Sequence, residues 1–228
     1  MINKSNIVIF FFISIFAIII GMVTNLIIIT ILGLCVLISL VIFANKASKK
    51  EKDDLLLKVR GIALKHDFPQ DIITLSSDNK KALSISEEQS SVLLIELLPK
   101  SEDSLDIVRM VNFNDVIEVK VNKNSSTITR SSRGSQIGSA MIGSIVAGGI
   151  GAIIGGLSGS KTSKESIRKL SLEIVINDLK KPSFEVSFYD SEVELKVNGD
   201  EYNRITDEMN QWYRMFTVIL HQNKISTS

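Results

Sequence analysis

An α+β protein tethered by an N-terminal two-helix transmembrane hairpin is the architecture this sequence predicts, and three observations carry it. Residues 7–44 contain no charge, with Lys4 before them and Lys46 after them. Residues 71–197 break into short apolar runs that alternate with period two, the mark of half-buried strands. Residues 202–221 return to a helical period, with Tyr202, Ile205, Met209, Trp212, Phe216 and Ile219 on one stripe. The organisation that follows is a membrane hairpin over 1–44, a linker and short helix over 45–70, and an antiparallel β domain with a C-terminal helix over 71–228, interrupted at 134–160 by a glycine-rich insertion.

The apolar run is too long for one crossing. About 20 helical residues traverse a hydrocarbon core, whereas one helix through all of 7–44 would be roughly 57 Å long. The one break with turn chemistry is Gly21-Met22-Val23-Thr24-Asn25. The expected helices are therefore 7–22 and 26–43. A cleaved signal peptide is disfavoured, because no small-residue cleavage site follows the first run before the second begins. The lysines on both outer flanks and the uncharged turn place both termini in the cytoplasm, as a multi-pass protein of the bacterial inner membrane. The single cysteine, Cys35, lies inside the second run and calls for no oxidising compartment.

After the membrane comes ANKASKKEKDD, read as a stop-transfer flank whose lysines face headgroups. Asp53 or Asp54 caps a short helix to about His66, with Leu56, Val59, Ile62 and Ala63 inward. Asp67-Phe68-Pro69 ends it. Strands are expected at 71–75, 82–85, 91–97, 107–113, 116–121 and 127–130. A hairpin follows, with Leu170, Leu172, Ile174 and Ile176 on one arm and Phe184, Val186 and Phe188 on the other. Val193, Leu195 and Val197 suggest one more short extended piece. Lysines and arginines number 26 against 25 acidic residues, a net charge of +1 that leaves no nucleic-acid footprint.

Residues 134–160 stand apart, with no charge and small residues at every fourth position in two rows. One row runs Ala140, Ser144, Gly148, Ala152 and Gly156. The other runs Gly143, Ala147, Gly151, Gly155 and Gly159. On a helix these rows form adjacent ridges almost without side chains, so another backbone can approach closely. So many glycines make a poor helix in water, at about 1 kcal/mol each. The expected packing residues are Gly143, Ala147, Gly148, Gly151, Ala152, Gly155, Gly156 and Gly159. Basic flanks on both sides argue against a single crossing, and a helical hairpin turning near Gly148-Gly149 is preferred. A disordered Gly/Ser loop competes, but the interleaved isoleucines count against it.

The segments DNKKALSISEEQSSVLLIEL, VNFNDVIEVKVNKN and LSLEIVINDLKKPSFEVSFYD, with the helix at 202–221, resemble a family of bacterial pleckstrin-homology-like proteins in which a glycine zipper interrupts the late strands. The resemblance implies a PH-like antiparallel sandwich or barrel that presents loops or an edge to a partner, with no catalysis. Phosphoinositide-binding relatives use a basic cluster in the first strand loop. That loop is SSDNKKA here, with Lys80 and Lys81 alone, so no binding residues are carried over.

No catalytic constellation is expected. His66 and His221 have no ligand partners at metal spacing. Neither a P-loop nor a G-x-S-x-G elbow occurs. The expected function is a membrane-anchored binding or scaffolding module, not an enzyme, without cofactor or metal. Its expected partners are the lipid bilayer, further copies of itself as a homo-oligomer and an unidentified protein, with no nucleic acid. The alternative is an oligomeric pore or membrane-perturbing protein.

Overall fold

The computed structural model describes residues 4–23, 27–69, 72–98, 106–133, 166–197 and 199–225. It divides into two compact units, one up to Lys58 and one from Val59.

The first unit holds α1 (Lys4–Val23) and most of α2 (Ile27–Lys65). Both present large apolar side chains outward, among them Phe12, Phe16, Ile28, Leu32 and Ile42. Hydroxyls inside the apolar stretches bond their own helix: Ser14 to Phe11 O, Thr30 to Ile27 O and Ser39 to Cys35 O, at 2.9, 2.7 and 2.8 Å. The two helices meet where Gly33 lacks a side chain. A Cβ there would stand 2.7 Å from Ile18 Cγ1 and 3.1 Å from the Ser14 carbonyl oxygen. Among the described residues one helix, Ile27–Lys65, is long and apolar enough to cross a membrane; the apolar part of α1, Ile9–Ile20, is shorter.

One expectation changes here. The second apolar helix, expected to stop at Phe43, and the short helix after it are a single α2. The intervening ANKASKKEKDD changes polarity but not backbone preference. Ala, Lys and Glu are strong helix formers, and no Gly or Pro falls between Gly33 and Gly61. The helix does end where its stop signal lies. Asp67 takes a positive φ of 49° and the Phe68 amide reaches back to the Ala63 carbonyl at 3.0 Å.

In the second unit Val59, Ala63 and Phe68 are buried. The Gln89 amide donates to the Asp67 carbonyl at 2.7 Å and ties this end of α2 to the first sheet. That sheet is antiparallel, in the order β1 (Ile72–Leu75), β2 (Lys81–Ser86), β3 (Ser91–Glu96), β4 (Ile107–Asn112). A 3-10 turn, Phe113–Asp115, leads to the second sheet. Its strands are β5 (Val116–Lys123), β6 (Ser126–Ser132), β7 (Ile167–Ile176) and β8 (Ser183–Leu195), in the spatial order β6-β5-β7-β8. The last helix, α3 (Asp200–Ile225), buries the whole predicted stripe from Tyr202 to Ile219. Leu83, Val92 and Leu94 of the first sheet, Val119, Leu172 and Phe184 of the second, and Trp212 and Phe216 of α3 form one core. Val193 and Leu195, expected as a separate piece, complete β8. Register shifts between Ile167 and Lys169 and between Leu170 and Ser171 break the alternation there.

Candidate functional site

The two sheets meet at a charged corner built around Phe184, the second residue of β8. Its ring is buried and two cations stand over it. Lys81 Nζ, from β2, lies 5.1 Å from the ring centroid, and the Arg109 guanidinium, from β4, lies 5.8 Å away. Lys81 also donates to the Glu185 carbonyl at 3.1 Å, and the Ser77 amide donates to the Ser187 carbonyl at 2.7 Å. The β1–β2 turn is thereby fastened to the edge of β8. Arg109 Nη1 donates to the Lys181 carbonyl in the β7–β8 turn at 3.0 Å and lies 3.9 Å from Asp178.

Other cations around this corner also have anionic neighbours. Lys169 pairs with Glu185 at 2.9 Å, Lys181 with Glu96 at 3.7 Å, and Lys80 with Asp78 at 3.9 Å. Burial pushes the Glu185 carboxyl up, but the Ser171 hydroxyl at 2.6 Å, the Lys169 ammonium and the charge of Lys81 outweigh it and hold the group below its ordinary range. Asp178 is held low by the amides of Lys180 and Lys181. At Asp78 burial is likewise overcome, by the Ser76 hydroxyl and the Lys80 amide. A self-neutralised corner of this kind locks the sheets together and leaves little net charge to cradle a phosphate. The first-strand loop has no arginine of its own, and the structure supplies Arg109 from β4. Nothing in the local pattern around Lys81 foretells a partner so distant in the chain.

A second geometry concerns the insertion. Strands β6 and β7 both run antiparallel to β5, on its two sides, so they are parallel to each other. The segment between them, which carries the glycine rows, is therefore a crossover and not a hairpin turn. The Arg133 amide bonds the Ile117 carbonyl near the start of β5, and the chain returns at Ser166, beside the end of β5. At about 3.3 Å per residue the offset between those points is roughly 23 Å. The return is clamped by Asn124. Its Nδ2 donates to the Ser166 carbonyl at 2.9 Å, and its Oδ1 accepts from the Arg168 and Lys169 amides at 3.0 and 3.2 Å. The Asn124 amide donates to the Lys169 carbonyl at 2.9 Å, and the residue holds φ at 53°. Asn before Ser-Ser carries turn chemistry, but nothing local marks it as a clamp on a segment returning much later in the chain.

The eight predicted packing residues, Gly143, Ala147, Gly148, Gly151, Ala152, Gly155, Gly156 and Gly159, lie outside the described residues. Of the two histidines, His66 follows the end of α2 and His221 lies on the last turns of α3. Among the described residues no group of three or more His, Cys, Asp or Glu is placed to hold a metal ion.

Known proteins bear on this arrangement. The chain is 28% identical over 209 residues, 86% of its length and 88% of the relative's, to the SPbeta prophage-derived uncharacterized membrane protein YomJ of Bacillus subtilis strain 168. It is 28% identical over 147 residues, 61% of its length and 70% of the relative's, to a protein of Bacillus phage SPbeta named as an immunity protein. No solved structure matches it. Residues 70–190 match the family described as glycine zipper containing PH domain. They take in the strands from β1 into β8 and the crossover that bears the small-residue rows, more than half of the chain, which therefore belongs to the glycine zipper containing PH domain family.

Proposed function

We propose that the protein is a membrane-anchored, non-enzymatic binding or scaffolding module. In this reading α1 and the apolar part of α2 cross the inner membrane as a hairpin, and both termini lie in the cytoplasm. The two sheets and α3 form a PH-like barrel that presents its loops to a protein partner. The glycine-zipper crossover joins copies of the chain or docks the domain on the bilayer. The observation that carries the anchor is the outward apolar surface of two helices that approach through Gly33. Exposed to water, that surface would forfeit about 25 cal/mol per Å². Similarity to a membrane protein supports the same reading.

Deletion of residues 136–158 tests the role of the zipper. The scaffold reading expects a folded, membrane-bound protein with weaker oligomers on crosslinking. An ion leak in liposomes that the full chain causes and the deletion abolishes would favour the pore instead. The similarity to a phage protein named as an immunity protein favours a second reading, in which the module serves an immunity function. Cells expressing the chain would then survive challenge with phage, or with toxic material released by cells that carry related phage, better than cells without it, and unchanged survival in both challenges would remove this reading.

A further inference from the structure

One face of α2 carries unpaired charges of both signs in a fixed order. Lys46 and Lys50 come first and Asp53 and Asp54 follow one turn later, all four exposed. Among the described residues none of the four is held in an ion pair. The helical repeat of about 100° per residue sets Lys46, Lys50 and Asp53 within about 40° of the direction of Ser39, and Asp54 within about 60°. Leu57, about five turns on from Ser39, shares that direction and is exposed. Towards the N-terminus the same face becomes a notch. Cys35 and Ser39 are small and exposed, among the bulky Leu32, Val36, Ile42 and Phe43. The Ser39 hydroxyl is already satisfied by the Cys35 carbonyl, so the notch offers bare helix surface with no polar cost. Gly33, where α1 packs, lies about 160° round the helix from Cys35, which leaves this second notch open.

We propose that this face of α2 is the contact between two copies of the chain, with the two α2 helices parallel. The inference rests on the membrane-anchored reading above. Chains anchored in one membrane share an orientation, so their α2 helices meet in parallel. A two-fold pairing then sets the Cys35–Ser39 notch of each copy against the same notch at the same depth. Small residues one turn apart are where helices approach closely in lipid, because acyl chains solvate large side chains as well as another helix does. Beyond the apolar stretch the pairing lays Lys50 of each copy beside Asp53 and Asp54 of the other, since neighbouring layers of a parallel pair are one turn apart. The charge order is thus self-complementary in this one arrangement, and it selects a second copy as the occupant. A helix of another protein would have to match both the depth of the notch and the order of the charges.

The test uses the full chain in its membrane, where Cys35 is its one cysteine. Iodine oxidises two adjacent thiols to a disulfide, and a non-reducing gel reads the dimer. Cys35→Ser chains carrying Ser39→Cys, Leu34→Cys or Ile38→Cys extend the measurement round the helix. Dimer yield at 35 and 39 is expected to exceed that at 34 and 38 by about threefold or more, following the helical period. Lys50→Glu should lower the yield at Cys35 by about half or more. Chains with Lys50→Glu, expressed beside differently tagged chains with Asp53→Lys and Asp54→Lys, should form the mixed dimer in preference to either homodimer. Equal yields at all four sites, a maximum at 34 or 38, a mixed dimer no better than the homodimers, or capture of Cys35 by a different protein overturns the pairing. So does a chain that stays monomeric, and in each case extraction by detergent alone upholds the anchor. Recovery in the soluble fraction without detergent overturns the anchor and the pairing together.

Discussion

Replacing Asn124 tests whether the crossover is clamped as the structure shows. Its side chain makes three hydrogen bonds to the segment returning at Ser166, Arg168 and Lys169, and its backbone sits at a φ of 53°. A net hydrogen bond contributes about 1 kcal/mol, and an alanine in the left-handed region adds roughly 1 kcal/mol of strain relative to glycine. Asn124→Ala should therefore destabilise the β domain by about 3–4 kcal/mol, and Asn124→Gly by about 2–3. Asn124→Asp keeps the acceptor for two amides and loses one donor, so it should cost about 1 kcal/mol. The protein contains one tryptophan, Trp212, in the core at 2% exposure. Its fluorescence during urea unfolding of the full chain in detergent isolates this unit. The order Asp, Gly, Ala in rising damage supports the clamp. Three variants within about 0.5 kcal/mol of the parent would refute it, since surface changes without a structural role fall in that range.

Other consequences follow from single positions. Gly61 lies inside α2 with nothing within 4 Å of an added Cβ, so Gly61→Ala should stabilise the chain by about 0.5–1 kcal/mol in the same urea assay. Gly33→Leu should lower the thermal midpoint of the helical circular dichroism signal in detergent, because its side chain meets Ile18 and the Ser14 carbonyl, while the Trp212 transition stays in place. The Glu185 carboxyl is depressed in the folded state, so its contribution is full above the unfolded carboxylate value near 4.3 and is lost as pH falls through the lower folded value. Glu185→Gln should therefore flatten the loss of stability between about pH 5 and pH 3, measured by Trp212 fluorescence. Phe184→Ala should cost about 3–5 kcal/mol, because it empties a core site and removes the ring beneath Lys81 and Arg109.

Much of the architecture was legible because it follows one-dimensional periods. Strand β5 and the stripe of α3 each bury one face, and burial writes its period into the chain; β2 and β3 are buried on both faces and are marked by their apolar runs between turn residues. The join within α2 was not legible, since a change from apolar to charged composition marks a change of solvent and not of backbone. The order β6-β5-β7-β8 was hidden for a related reason. Period two identifies a strand but not its neighbour, and the partner β7 of β5 lies beyond the whole glycine-rich segment. The corner around Phe184 draws on β2, β4 and the β7–β8 hairpin, so no window of sequence contains it.

The anchor is tested most directly by labelling intact cells with a membrane-impermeant thiol reagent, using Cys35→Ser chains that carry Thr24→Cys, Gly149→Cys or Ser191→Cys. Reaction at position 24 alone is the predicted result, with 149 and 191 labelled only after the membrane is opened. Labelling at 191 in intact cells, or recovery of the chain in the soluble fraction without detergent, would contradict a hairpin that holds the β domain on the inner side.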